Sequence, residues 1–345
     1  MTLDQIRALV EELAGPQVRS ALSWLYYNLI GPMLAPTGLH WLWISCAVVF
    51  AYGFFRLTVG AGPRTERSFI SWLVPREVFL HASARLDYRF YVVNQLVLMH
   101  LRLGSLVTAI VGFLFAADAT KALLTALLGA SQGQATPSIA ILIVFTLLTL
   151  MANDFGRYLA HYLQHKVPSL WEFHKVHHAA EVLTPITGYR SHAIDQMLDM
   201  GLRLVMAGFI GGVFGYFYPG GLAELTILSF NAVAALIYYP VVLLQHSHVR
   251  LGYGPILSRM LISPLMHQVH HSLEKPHWDK NFGFTFSLWD RWFGTLYVPR
   301  SDEQFQLGLP VGSGRFDTVW SLLADPFVRA FKRTWRPRPA AGIPR

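Results

Sequence analysis

The chain of 345 residues holds one cysteine, Cys46, and it sits inside an apolar run. A single cysteine excludes an intramolecular disulfide and a thiolate metal cluster. Any metal bound here is therefore held by nitrogen and oxygen ligands, a donor set that suits iron or zinc. Charge is scarce as well. Only 14% of residues are charged and the mean hydropathy is +0.37, which excludes the composition of an ordinary soluble domain. No nucleic-acid recognition motif accompanies the net charge of +8, so nucleic acid is not an expected partner. No internal repeat or low-complexity tract stands out. The first residues, MTLDQIRALVEELAGP, read as a short amphipathic helix. They lack the basic start and small-residue cleavage site of a signal peptide.

What the chain has in quantity is apolar sequence. Runs lie at about Ala21–Pro36, Trp41–Phe55, Leu103–Ala117, Ile139–Met151, Leu204–Tyr218 and Leu222–Leu244. A spanning helix needs ~20 residues, and with their flanks most of these runs reach it. The expected fold is an all-α integral membrane protein with four to six transmembrane or interfacial helices. A loop rich in Gly, Ser and Thr follows the third run, and Pro219-Gly220-Gly221 makes a tight turn between the last two. With six spans, the outer loops near residues 37–40, 118–138 and 219–221 contain only Lys121 of the 28 lysines and arginines. That asymmetry is the positive-inside pattern. It explains the net charge as topology plus attraction to anionic headgroups, and it puts the histidine-rich segments on the cytoplasmic side.

Those segments hold twelve of the fifteen histidines, within residues 156–200 and 246–300. The stretch DFGRYLAHYLQHKVPSLWEFHKVHH begins at Asp154. His161 and His165 are four apart, so a helix stacks them on one face, with Asp154 two turns earlier on that face. His174 and His178 repeat the spacing, with His177 beside them, and the pattern returns as His267, His270 and His271. Two imidazoles one helical turn apart are a standard way to present two ligands to one ion. Neutral imidazoles crowded together make a poor core and charged ones repel each other; a metal ion removes the conflict. One tetrahedral ion takes four ligands, so eight to ten histidines suit two ions. A pair of irons with open positions activates dioxygen.

The order H-x-x-x-H, H-x-x-H-H, H-x-x-H-H after apolar segments resembles the fatty acid hydroxylase superfamily, also called the sterol desaturase family. Two further stretches carry the resemblance, LTPITGYRSH at Leu183–His192 and NFGFTFSLWDRWFGTLYVP at Asn281–Pro299. It covers roughly residues 140 to 300. It implies a non-haem di-iron membrane enzyme that hydroxylates or desaturates a lipid C–H bond, with a four-helix membrane core under a cytosolic histidine cap. The division it implies is 1–138 for N-terminal membrane helices and interfacial segments, 139–300 for the catalytic domain and 301–345 for a basic tail. Carried over residue by residue, the ligands are His161, His165, His174, His177, His178, His267, His270 and His271. His192 and His246 match additional family histidines and are included as metal ligands. Asp154 matches an acidic position before the first motif and is expected to orient a ligand histidine. His248 stands where relatives commonly have asparagine, and neither it nor His277 is assigned.

The partners this reading implies are a membrane lipid, O2 and a separate electron donor of the cytochrome b5, ferredoxin or flavoprotein kind, since no such domain is fused. Sterol desaturase, methyl oxidase and alkylglycerol monooxygenase-like reactions are alternatives within the superfamily. A divalent-metal transporter needs ligands near the bilayer midplane, whereas these cluster at helix ends; an inactive lipid-binding relative would not need three complete motifs. Arginine outnumbers lysine 22 to 6 and the tail ends AGIPR without a retention signal, so a bacterial inner membrane is expected. Among other residues, Trp289, Trp292 and Phe293 are expected to pack the cap, Arg190 and Arg291 either to contact a phosphate or redox partner or to form ordinary ion pairs, and Asn281 and Gly283 to shape a turn.

Overall fold

The structure, a computed structural model, describes residues 41–58, 68–97, 99–131, 137–219 and 239–335. The N-terminal amphipathic pattern, the first apolar run, most of the sixth and the end of the basic tail lie outside the described residues. Within them the fold is helical. The helices are α1 (Trp41–Thr58), α2 (Phe69–Leu73), α3 (Arg76–Phe79), α4 (Ala82–Val97), α5 (Met99–Leu128), α6 (Ile139–Lys166), α7 (Pro168–His178), α8 (Ala193–Phe217), α9 (Gly254–Leu257), α10 (Pro264–His270), α11 (Leu288–Trp292) and α12 (Val319–Trp335). Residues 239–245 are also helical. Extended pairing among the described residues is confined to the isolated bridges Leu261–Phe286 and Ser272–Leu307.

Four helices are long and apolar enough to cross a membrane: Trp41–Thr58, Leu106–Leu128, Ile139–Lys166 and Ala193–Phe217. They correspond to the second through fifth apolar runs. The third run is longer than expected, because α5 continues past Ala117 through Leu128. Thr120 caps its own turn by donating to Ala116 O at 2.7 Å, and Lys121 pairs with Asp118 at 3.7 Å. The Ala- and Leu-rich sequence beyond them propagates helix readily. The loop therefore begins near Gly129, whose φ of +86° ends the helix.

Small residues let the spans approach. A Cβ at Gly208 would lie 2.5 Å from Phe113 O, one at Gly212 2.5 Å from Ala117 O, and one at Gly156 2.7 Å from Leu202 O. Helix α8 thus packs backbone to backbone on α5 and α6, as small-xxx-small faces do in lipid. Gly212→Leu is expected to force α5 and α8 apart and to cost about 1–3 kcal/mol or more. Thermal unfolding of the purified variant in detergent reads this, and an unchanged midpoint would contradict the close packing. Asp199 joins α8 to α6 through Arg157 at 3.5 Å and pairs within α8 with Arg203 at 3.2 Å.

Helix α6 positions the site. Its Ser138 N-cap accepts from Ile141 N, and its 28 residues run about 42 Å at 1.5 Å per residue. A hydrocarbon core is ~30 Å thick, so α6 is longer than a span by about two turns, the length that carries His161 and His165. Pro168 then starts α7 at its first turn, the position that tolerates proline. Leu86, Phe90, Val176, Phe316 and Leu322 form a core that joins α4, α7 and α12. Tyr158, Phe282 and Trp289 form another that seats the segment after α10 against α6.

Candidate metal centre

The histidines converge in two groups. His161 and His165 from α6, His174 and His178 from α7, and His270 from α10 form one. His177, His246, His267 and His271 form the other. Within each group the ligating atoms all lie within 4.8 Å of one another. Each H-x-x-H-H motif is thus split. His174 and His178, one turn apart, face the first group while His177 points to the second; His267 and His271 face the second while His270 points to the first. The groups touch, with His178 stacked on His271 at 4.5 Å between ring centroids.

The outer nitrogens are anchored. His161 Nδ1 donates to Phe282 O at 2.8 Å and His270 Nδ1 to Lys280 O at 2.7 Å. A carbonyl only accepts, so both rings carry their proton on Nδ1 and turn a lone pair inward on Nε2. His174 Nδ1 sits 3.0 Å from Asp195 Oδ2, and Asp279 lies 3.6 Å from His165 Nδ1. Inside, Nε2 meets Nε2. His178 is 3.2 Å from both His165 and His174, and His246 is 3.1 Å from His177 and 2.9 Å from His267. His161 Nε2 and His270 Nε2 are buried without a hydrogen-bond partner. Burying so many convergent lone pairs is costly unless a cation takes them up. The donor set, imidazole nitrogen throughout, fits a transition-metal ion.

Burial, and then the neighbouring imidazoles, hold His177, His178, His267 and His271 well below the usual 6.5, and His270 falls to about 3. Burial and the Arg157 charge take His246 to about 4. The unfolded chain protonates these rings near pH 6.5; the folded chain does so only far lower. The unfolded state therefore binds more protons below about pH 6.5, and stability present above that pH is lost as it falls toward 3. Each imidazole contributes on the order of 1 kcal/mol per pH unit. The melting temperature in detergent is expected to fall between pH 7.5 and 5, with metal loss adding to the trend because the ligands must be deprotonated. A flat profile would mean that the rings are not held neutral.

Three expected roles come out differently in the geometry. His192 lies outside both groups: its Nδ1 accepts from Ile194 N at 3.2 Å, capping α8, and its Nε2 donates to Leu323 O at 3.1 Å. Both nitrogens are thereby committed. Asp154 reaches no histidine; its carboxylate accepts from Thr285 N, Phe286 N and Trp289 Nε1 at 2.9–3.2 Å. It fastens the segment after α10 to α6, because three donors converge there and a buried carboxylate needs them. Trp289 is buried in the cap core as expected, but Trp292 and Phe293 are 66% and 58% exposed.

His248 donates to Trp72 O at 2.9 Å, and His277 bridges Ser272 Oγ and Glu303; both lie outside the groups. Arg190 is buried in an ion pair with Asp87 at 2.8 Å, and Arg291 is exposed. Asn281 adopts φ +57°, donates to Met266 O and accepts from Tyr297 N. A Cβ at Gly283 would lie 2.6 Å from Asp290 Oδ2, so both residues shape the turn. Residues that spacing did not reveal are Asp195, Asp279 and the carbonyls of Lys280 and Phe282. Asp195 and His174 are 21 residues apart, and nothing periodic links them.

The sequence model for fatty acid hydroxylase matches residues 146–295. Ornithine lipid hydroxylase OlsE of Rhizobium tropici is 31% identical over 53% of this chain and 50% of its own length. Alkylglycerol monooxygenase of Caenorhabditis elegans is 28% identical over 50% of this chain and 30% of its own. Human cholesterol 25-hydroxylase is 27% identical over 46% of this chain and 54% of its own. The chain thus spans about half or less of the curated relatives it matches, and no solved structure matches it significantly. Both histidine groups fall wholly inside the segment that matches the fatty acid hydroxylase model.

Proposed function

We propose that this chain is a membrane-bound non-haem di-iron oxygenase that hydroxylates a C–H bond of a lipid. The observation that carries the reading is the pair of touching imidazole groups at the end of an apolar helix bundle. His161, His165, His174, His178 and His270 would hold one iron, and His177, His246, His267 and His271 the other. Bound iron supplies the activation of O2. The overall change is R–H + O2 + 2 electrons + 2 protons → R–OH + H2O, with the electrons from a separate protein donor. The chain's own part is to hold the nitrogens without protons, fix ring orientation through Asp195 and the Phe282 and Lys280 carbonyls, and keep water out. Nine imidazoles support two ions, since one tetrahedral ion takes four ligands, and iron is chosen over zinc because the proposed reaction needs a redox-active metal.

The names of the relatives point to an ornithine lipid, an alkylglycerol and a sterol. Their shared chemistry is oxygen insertion into a lipid, and an acyl chain or polar lipid headgroup of a bacterial inner membrane is the substrate class favoured here. Comparative lipid mass spectrometry of a strain with and without the gene, run under ¹⁸O2, tests the reading. A product carrying one labelled oxygen is expected. A product two mass units lighter and unlabelled would mean desaturation, and turnover without oxygen would end the oxygenase reading.

The histidine end is assigned to the cytoplasm on the lysine and arginine asymmetry. Reporter tags at the C-terminus and in the segment between Gly129 and Ser138 are expected on opposite faces, with the C-terminus inside. A C-terminal tag found outside would overturn the orientation.

A further inference from the structure

Helix α12 divides its surface in three, where an ordinary surface helix divides it in two. One sector is core: Leu322 is 0% and Ala330 8% exposed, packed on α7 and α4. A second is polar, with Ser321, Asp325, Arg329 and Lys332; Arg329 pairs with Asp325 at 2.9 Å. The third is apolar and uncovered. Trp320 is 74%, Phe327 52% and Val328 53% exposed, and at 100° per residue they share a sector about 100° wide.

The neighbours of that sector identify what covers it. His192, the N-cap of span α8, donates to Leu323 O at 3.1 Å and packs against Phe327 at 5.2 Å between ring centroids. The middle of α12 is therefore pinned to the end of a membrane span. A second exposed aromatic pair marks the same end of the bundle: Phe293 packs on Phe155 and Tyr158 of α6, with Trp292 beside it. Exposed aromatic rings at span ends are the signature of the interfacial belt. In the last turn of α12 Arg333 pairs with the buried Glu172 of α7, and Lys332, on the polar sector, adds a positive charge that anionic headgroups attract.

We propose that α12 is an interfacial helix, its third face seated in the headgroup–acyl boundary of the bilayer at the histidine-bearing end. The core sector then faces the cap, the apolar sector the lipid and the polar sector water, so every face meets its own solvent. This rests on the four spans and not on the oxygenase reading, and either can fail without the other.

Cys46 is the sole native cysteine, so spin labels can be placed singly in a Cys46→Ser background. Labels at Trp320→Cys and Val328→Cys are compared with Arg315→Cys, an exposed control. The full chain is reconstituted in phosphatidylethanolamine–phosphatidylglycerol vesicles. Collision with O2, which concentrates among acyl chains, is expected to exceed collision with a water-soluble nickel chelate several-fold at 320 and 328, and to be reversed at 315. Adding Val328→Glu to the chain labelled at 320 is expected to raise chelate access there several-fold. Chelate-dominated collision at both 320 and 328 would overturn the proposal. So would shielding from both reagents with spin–spin broadening, which would mean that a second copy covers the face.

Discussion

Replacing His174 by alanine is expected to abolish turnover and to lower the bound iron, while the spans stay helical. His174 Nε2 lies 3.2 Å from His178 Nε2, and its Nδ1 holds Asp195. Removing the ring takes one nitrogen from the first group and leaves a buried carboxylate with Ser191 Oγ, 3.1 Å away. Leaving a buried charge short of a partner costs about 1–3 kcal/mol, a loss borne by the cap. The α5–α8–α6 packing lies elsewhere, so the helical circular dichroism in detergent should persist. Asp195→Asn is expected to fall between this variant and the wild type. Loss of the partner that orients a ligand imidazole typically costs 10–100-fold in affinity or activity. His192→Asn should retain its iron, because both His192 nitrogens are spent on Ile194 N and Leu323 O. Metal analysis and turnover on the same preparations give the ranking. Full turnover in His174→Ala would remove His174 from the ligand set, and iron loss in His192→Asn would put His192 back into it.

Removing the metal is expected to have an effect as large and, unlike mutation, reversible. Nine neutral imidazoles bring no negative charge to the ions, whereas a carboxylate-bridged pair would. Affinity then depends on geometry, and a strong chelator should strip the site over hours. Turnover should fall to background and return on adding ferrous iron under reducing conditions, with zinc failing to restore it because it has no redox chemistry. The stripped protein should also melt lower, since a ligand that binds only the folded state stabilises it by mass action. Turnover that survives complete iron removal would refute the di-iron reading.

The first group also shows why the surrounding carbonyls matter. Phe282 O and Lys280 O set the Nδ1 tautomer of His161 and His270. Both carbonyls belong to the segment that Asp154 and Asp290 hold in place. Asp290 accepts from Phe282 N at 2.8 Å and Gly283 N at 2.7 Å. A carboxylate that touches no histidine thus orients two of them through the backbone.

Much of this was legible in the chain itself. One cysteine and a donor set of histidines limit the metal chemistry before any fold is known. The length of the apolar runs sets the spans, because a bilayer imposes its thickness on any helix that crosses it. The i,i+4 spacing of His161 with His165, of His174 with His178 and of His267 with His271 follows from helical pitch alone. What only the tertiary structure decided is which imidazole joins which group. His177 is next to His178 in sequence and faces the other group, since neighbours on a helix point about 100° apart. Which partner lies in each direction depends on how α6, α7 and α10 cross. The same holds for Asp154 and His192. The sequence suggests a carboxylate that orients a ligand at Asp154 and a ligand at His192, yet the first fastens a loop and the second caps a span, because the donors and acceptors that meet them come from residues up to 135 positions away. Spacing records local geometry, and long-range partners are set by packing.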